Sequence, residues 1–213
     1  MTTSDVFLSV GGTSTADQED FVRAVEDRLR SEGLNPHTVG RNTFSSEAPL
    51  KAVTELMDKC AGTVVIALER SYFPNGVDKR GGPKEAALAN VRLPTPWNQI
   101  EAAMSYARGL PIMVIVESDL RGEGLLENGY DWYVQRVKPE ASALHSNEFN
   151  GILASWKQKL LSTRIKVDRK DPNELTVAEL LGGIKPAQLW SILAALVALL
   201  AGAFALGARF GGH

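Results

Sequence analysis

The chain alternates short apolar runs with longer segments of helical periodicity, in the order expected for repeated β-α units. Asp5 to Val10 (DVFLSV) reads as a strand, followed by a Gly-Gly-Thr-Ser-Thr turn over residues 11–15. Phe21, Val22, Val25 and Leu29 then recur at helical spacing, predicting a helix over Ala16 to Ser31, capped by Thr15 or Ser14 and stopped by Gly33. A second strand is expected over Asn35 to Val39, leading into a polar loop at 40–46. A second helix follows over Leu50 to Cys60, then a continuous apolar strand, Thr63 to Leu68, of the kind buried on both faces.

The segment after that strand is long and polar. Residues 69–96 form a connection too long to be idle in a small domain, and a lid or a partner surface is the expected role. Glu85 to Val91 within it is read as a short helix. Pro94 and Pro96 then bar helix before Trp97, a helix is predicted from Trp97 to Arg108, Gly109-Leu110-Pro111 stops it, and Ile112 to Val116 is a buried strand. Trp132 to Val137 reads as the last edge strand. Asn147 to Thr163 reads as the closing helix, with Phe149, Ile152, Leu153, Trp156 and Leu160 on its buried stripe.

These units predict an α/β fold with a parallel sheet and helices on both faces, its ligand-binding loops gathered at the carboxyl edge of the strands. With 213 residues and 44% hydrophobic content, one such domain plus an appendage fits the length. The appendage is distinctive. Pro186 to Ala208 carries no charge, and Leu189 to Leu206 is apolar on every side, so a transmembrane helix is expected over 186–209, joined to the domain (1–167) by a linker at 168–185. Arg164, Lys166, Arg169, Lys170 and Lys185 before the span, against Arg209 after it, predict a tail-anchored protein with its N-terminal domain in the cytoplasm. No secretory signal is read ahead of the first strand.

A formal net charge of −2 gives no nucleic-acid signature. The single cysteine, Cys60, excludes an internal disulfide and is expected as a buried apolar residue. His37, His145 and His213 have no ligand spacing, and no metal is assigned.

The candidate chemistry centres on Glu101. Trp97 and Glu101 lie four apart, so they share a helix face near its N-terminus, where the dipole favours a carboxylate and an indole can shield it. Capping, or pairing with Arg108 seven residues on, is the structural alternative. This Trp-x-x-x-Glu segment resembles the catalytic-glutamate region of TIR-domain NAD hydrolases, and it is similar to the related segment of nucleoside 2-deoxyribosyltransferases. The resemblance covers roughly residues 4–137.

It implies a flavodoxin-like fold, and a glutamate acting at C1′ of a ribose. The substrate it implies is NAD or a related nucleotide, with NAD as substrate rather than cofactor. It also implies self-association of the domain, and a part in bacterial antiphage or stress defence. Ser9 stands where TIR domains commonly carry a serine. Gly11 and Gly12 either let a phosphate or ribose approach the backbone or serve only the turn. Arg41 either faces a pyrophosphate or is a solvated surface residue. Tyr72 and Phe73 either stack on a base or nicotinamide ring or pack the loop root onto the sheet. The first loop has no carboxylate before Asp17, which ranks the deoxyribosyltransferase likeness below NAD cleavage. A non-catalytic signalling or scaffold module at the membrane is the reading from another class.

Overall fold

The computed structural model describes residues 4–129 and 132–168. Within these residues seven strands and four helices run in the order β1 (Ser4–Val10), α1 (Ala16–Ser31), β2 (Leu34–His37), α2 (Pro49–Met57), β3 (Thr63–Ala67), β4 (Ser71–Asp78), β5 (Ala86–Leu93), α3 (Pro96–Ala107), β6 (Ile112–Glu117), β7 (Val134–Val137) and α4 (Asn147–Asp168). Two short 3-10 turns, Gly124–Leu126 and Ala141–His145, flank β7.

Five strands form a parallel sheet in the order β2-β1-β3-β6-β7. Its central strands are the apolar runs read from the sequence. All five residues of β3 are buried, which explains why that run shows no alternation. One face packs Val6, Leu8, Val64, Ile66, Met113 and Ile115 against α1 and α4 through Phe21, Val25, Phe149, Leu153 and Trp156. The other face packs Phe7 against Val53, Leu56 and Met57 of α2, and Val65, Val114 and Val116 against Ala102 of α3. Helices therefore cover both faces, and the order of the sheet is the flavodoxin-like one.

Cys60 is buried on the α2 side, and desolvation pushes its thiol up to about 12, so it behaves as a small apolar residue. Strand β2 is shorter than expected and includes Pro36, which is tolerated because β2 lies at the sheet edge. Helix α2 starts at Pro49 and ends at Met57, before the turn through Asp58 and Lys59. Strand β7 begins at Val134, two residues later than expected.

The largest departure lies between β3 and α3. Of residues 85–91, expected as a short helix, Ala86 to Val91 belong to β5 and Glu85 to the turn before it; β5 pairs antiparallel with β4 from Ser71↔Leu93 to Asp78↔Ala86. Lys79 (φ 52°) and Gly81 (φ 76°) make the left-handed turn that reverses the chain. The local helical preference of Glu-Ala-Ala-Leu-Ala loses to cross-strand pairing, which the β-branched and aromatic residues of β4 supply. The result is a separate two-stranded arm rooted where the Arg70 amide donates to the Leu93 carbonyl. Arg121 steadies it, its amide donating to Arg92 O and its guanidinium lying 3.4 Å from Asp78.

Among the described residues no helix is long and apolar enough to cross a membrane. The span expected over 186–209 and its linker, apart from Asp168 at the end of α4, lie outside the described residues.

Candidate active site at the carboxyl edge

Helix α3 begins where the arm ends. Thr95 caps it, its hydroxyl accepting from the Trp97 amide, and Pro96 occupies the first turn, where no amide hydrogen is needed. Asn98, Glu101, Ala102 and Ser105 are the buried residues of the helix and face the sheet. Ser105 anchors its far end, 2.7 Å from the Thr63 hydroxyl at the start of β3. That anchor fixes the rotation of α3. Asn98 and Glu101 are thereby directed at the carboxyl ends of β1 and β3.

Glu101 is only 9% exposed, and it makes no ion pair among the described residues. Its side-chain partner is Ser9, which is fully buried on β1 and hydrogen-bonds to its carboxylate. Burial pushes the Glu101 carboxyl up to about 7, and the Ser9 bond offsets only part of that rise. The Asn98 side-chain amide donates towards Ser9 Oγ at 3.1 Å, Ser9 O at 3.3 Å and Ile66 O at 3.3 Å. Asn98, Ser9 and Glu101 thus form one hydrogen-bonded unit joining α3, β1 and the end of β3.

Beside this unit lies a narrow cleft lined by Gly11, Gly12, Thr13, Gln18, Leu68, Glu69, Arg70, Thr95 and Asn98. Its volume, about 10 Å³, admits a single water-sized group. Asn98 lines the cleft, and Glu101, its neighbour in the hydrogen-bonded unit, does not. A Cβ on Gly11 would lie 2.9 Å from Thr95 Cγ2, so glycine there is required by close approach of the β1 loop to the α3 cap. Gln18 ties the cleft together. It accepts from the Ser14 amide at 2.8 Å and donates to the Glu69 carbonyl at 2.9 Å. Arg70 reaches across, its guanidinium 3.5 Å from Gly12 O, while Glu69 is held 3.3 Å from Arg92.

The structure brings together Ser9, Gly11, Gly12 and Glu101 of the residues expected from sequence, and separates the others from the cleft. Arg41 is bidentate to Glu19 at 2.8 and 2.9 Å and donates to Glu26 at 2.7 Å, so it clamps the β2 loop to α1. Tyr72 and Phe73 are half-exposed on β4, and neither lines the cleft. The Tyr72 hydroxyl donates to Asn90 Oδ1 at 2.6 Å, and Arg92 stacks 5.9 Å over its ring. Trp97 is 40% exposed; Glu101 is dried by the packing of α3 on β1 and β3. Arg108, the alternative partner for Glu101, instead pairs with Asp58 at 3.0 Å.

Sequence reasoning missed Asn98, Gln18, Glu69, Arg70 and Thr95. Asn98 carried a usable signal, a polar residue three before Glu101 and so on the same face. The others join the cleft only through tertiary approach of three loops. Among the described residues, no group of three His, Cys, Asp or Glu stands where it would hold a metal ion.

No known family profile matches the chain, and no curated protein matches it in sequence. Among solved structures it is similar to a CMP N-glycosidase, BcmB, of Clostridium botulinum, with 15% identity, 72% of this chain and 98% of that chain covered, and a TM-score of 0.35. At that level of likeness no residue role passes from one protein to the other.

Proposed function

We propose that the protein cleaves the N-glycosidic bond of a nucleotide, with the Glu101 carboxylate acting at C1′, and that NAD is the substrate its charge fits best. The observation that carries this reading is Glu101 itself: a buried carboxyl raised to about 7, aimed at the carboxyl edge of a parallel sheet and unanswered by any cation among the described residues. A desolvated anion at 4 Å from a positive charge gains about 4 kcal/mol at an effective dielectric near 20, against about 1 kcal/mol in water. NAD brings that charge already at its nicotinamide nitrogen, and the oxocarbenium-like transition state carries it at the ribose. Nicotinamide leaves as a neutral ring. No acid is needed for its departure, and the carboxylate that lines the cleft, Glu69, is held by Arg92.

The pH direction separates this from a second reading. A carboxyl near 7 is partly protonated at neutral pH, and its acid form would suit cleavage of a nucleotide with an uncharged base, such as CMP, whose base leaves with a proton. NAD cleavage requires the anion, so its kcat/KM rises through about pH 7 and levels off; base-protonating cleavage falls over the same range. The apolar run Leu189–Leu206 supports placing this activity at a membrane.

The test is base release by the full-length chain from NAD and from CMP between pH 5 and 9. Nicotinamide release that rises with pH and vanishes in Glu101→Gln supports the proposal. Absence of turnover on either nucleotide removes it and leaves the scaffold reading.

A further inference from the structure

One buried acceptor at the site is left over once the fold is held. Asn98 is 1% exposed, and its Oδ1 has no hydrogen-bond partner among the described residues. The orientation of this amide is not arbitrary. Its nitrogen faces two backbone carbonyls, Ser9 O and Ile66 O, and a flipped amide would set oxygen against oxygen at both. The orphan is therefore an acceptor, and an acceptor left unanswered in a dry site is costly. Asn98 also lines the cleft, whose size admits one group as large as a hydroxyl.

We infer that Asn98 Oδ1 accepts a hydrogen bond from the 2′-hydroxyl of the substrate's ribose, which makes the site selective for ribonucleotides over their 2′-deoxy counterparts. This rests on the reading that Glu101 acts at C1′. Asn98 and Glu101 are three residues apart on one helix face and share Ser9 as a partner, so an acceptor at Asn98 serves the carbon next to the one Glu101 serves. That neighbour is C2′. The bond also has a reach beyond binding. A donor at Oδ1 polarises the amide, which strengthens its donation to Ser9 Oγ and, through Ser9, the hydrogen bond to the Glu101 carboxylate. Asn98 is thus a specificity-determining residue that also positions Glu101 through Ser9.

The experiment uses the full chain carrying Glu101→Gln, which keeps the shape of the site without turnover. Calorimetry compares NAD with its analogue lacking the 2′-hydroxyl on the nicotinamide ribose, and CMP with 2′-deoxy-CMP. The expected result is about 10- to 100-fold weaker binding of the deoxy member of the pair that binds, because its Oδ1 stays unpaired. Adding Asn98→Ala should erase the difference by weakening the ribose form alone. The single-variant comparison decides the matter even if the double variant does not fold. Equal affinities for ribose and deoxyribose forms, with a wild-type chain that turns over either nucleotide, overturn the role of Asn98 and leave the glycosidase reading standing. A wild-type chain with no turnover, and no binding of any of the four probes, overturns both.

Discussion

Two helices start at the carboxyl edge of the same sheet, and each carries a glutamate in its first two turns, yet α1 and α3 treat those carboxyls in opposite ways. Glu19 of α1 receives Arg41 through two bonds, and the Thr13 hydroxyl through a third. The Arg41 guanidinium, foremost, and Thr13 hold its carboxyl down at about 2. Glu101 of α3 receives Ser9 and, among the described residues, no cation, and burial holds it up at about 7. The difference is one of answered charge. A carboxylate matched by an arginine is finished as a structural device. One that is dried and left unmatched retains its attraction for a positive centre, which is what a glycosidic transition state supplies.

The largest expected effect tests the functional side of that contrast. Glu101→Gln should lower nicotinamide release by about 100- to 1,000-fold or more, the scale for removing a group that meets transition-state charge. Glu19→Gln should leave kcat/KM within about threefold, since its carboxylate is already taken up by Arg41, while destabilising α1. Equal losses in both variants would erase the distinction.

The next effect is on stability, and its sign is opposite for the two residues. Glu101 has a folded pKa above its unfolded value, so folding carries no penalty below about pH 4.5, a growing one through about pH 7, and the full one above it. Glu101→Gln should therefore stabilise the chain at pH 8 by up to about 3 kcal/mol, with the gain shrinking towards pH 4.5, as read from urea midpoints. Glu19 has a depressed folded pKa. Its contribution is present above about 4.5 and is lost as pH falls through about 2.

Arg41→Ala should cost about 2 kcal/mol, because it leaves Glu26, 9% exposed, and Glu19 without their clamp. Substrate affinity should stay unchanged in that variant. A raised KM without loss of stability would restore Arg41 as a ligand residue. The smallest effect belongs to Ser9→Ala. Ser9 lowers the Glu101 pKa, so removing it should move the rising limb of the pH–rate curve to more alkaline pH by up to about one unit.

The sheet and its helices were legible because burial on two faces leaves an uninterrupted apolar signal. DVFLSV, TVVIAL and IMVIVE needed no partner to be recognised, and α1 was readable in both its bounds, with Thr15 rather than Ser14 as the cap. The arm was not legible. Ala86–Leu93 is exposed for most of its length and has no periodic stripe, so its state is set by pairing with β4 across the turn at 79–85. The same logic divides the site. Ser9, expected from the resemblance, and Glu101, expected from the helix after Pro96, meet because the carboxyl end of β1 lies against the first half of α3. The clamp on Arg41 was hidden, since its partners stand 15 and 22 residues away, and only the packed loop brings them near. Asn98 lay in plain view as a polar residue on a buried face, and its meaning came from an acceptor left over once Ser9 and Ile66 had taken its hydrogens.

The most direct measurement is the titration of the Glu101 side-chain carboxyl by carbon NMR in the full-length protein, with Glu101→Gln to assign the signal. A midpoint near 7 in the free protein, moving to lower pH when NAD is added, is the result predicted for a dry carboxyl that meets a cationic glycosidic centre. A midpoint in the ordinary range near 4.5, unmoved by NAD, would contradict it.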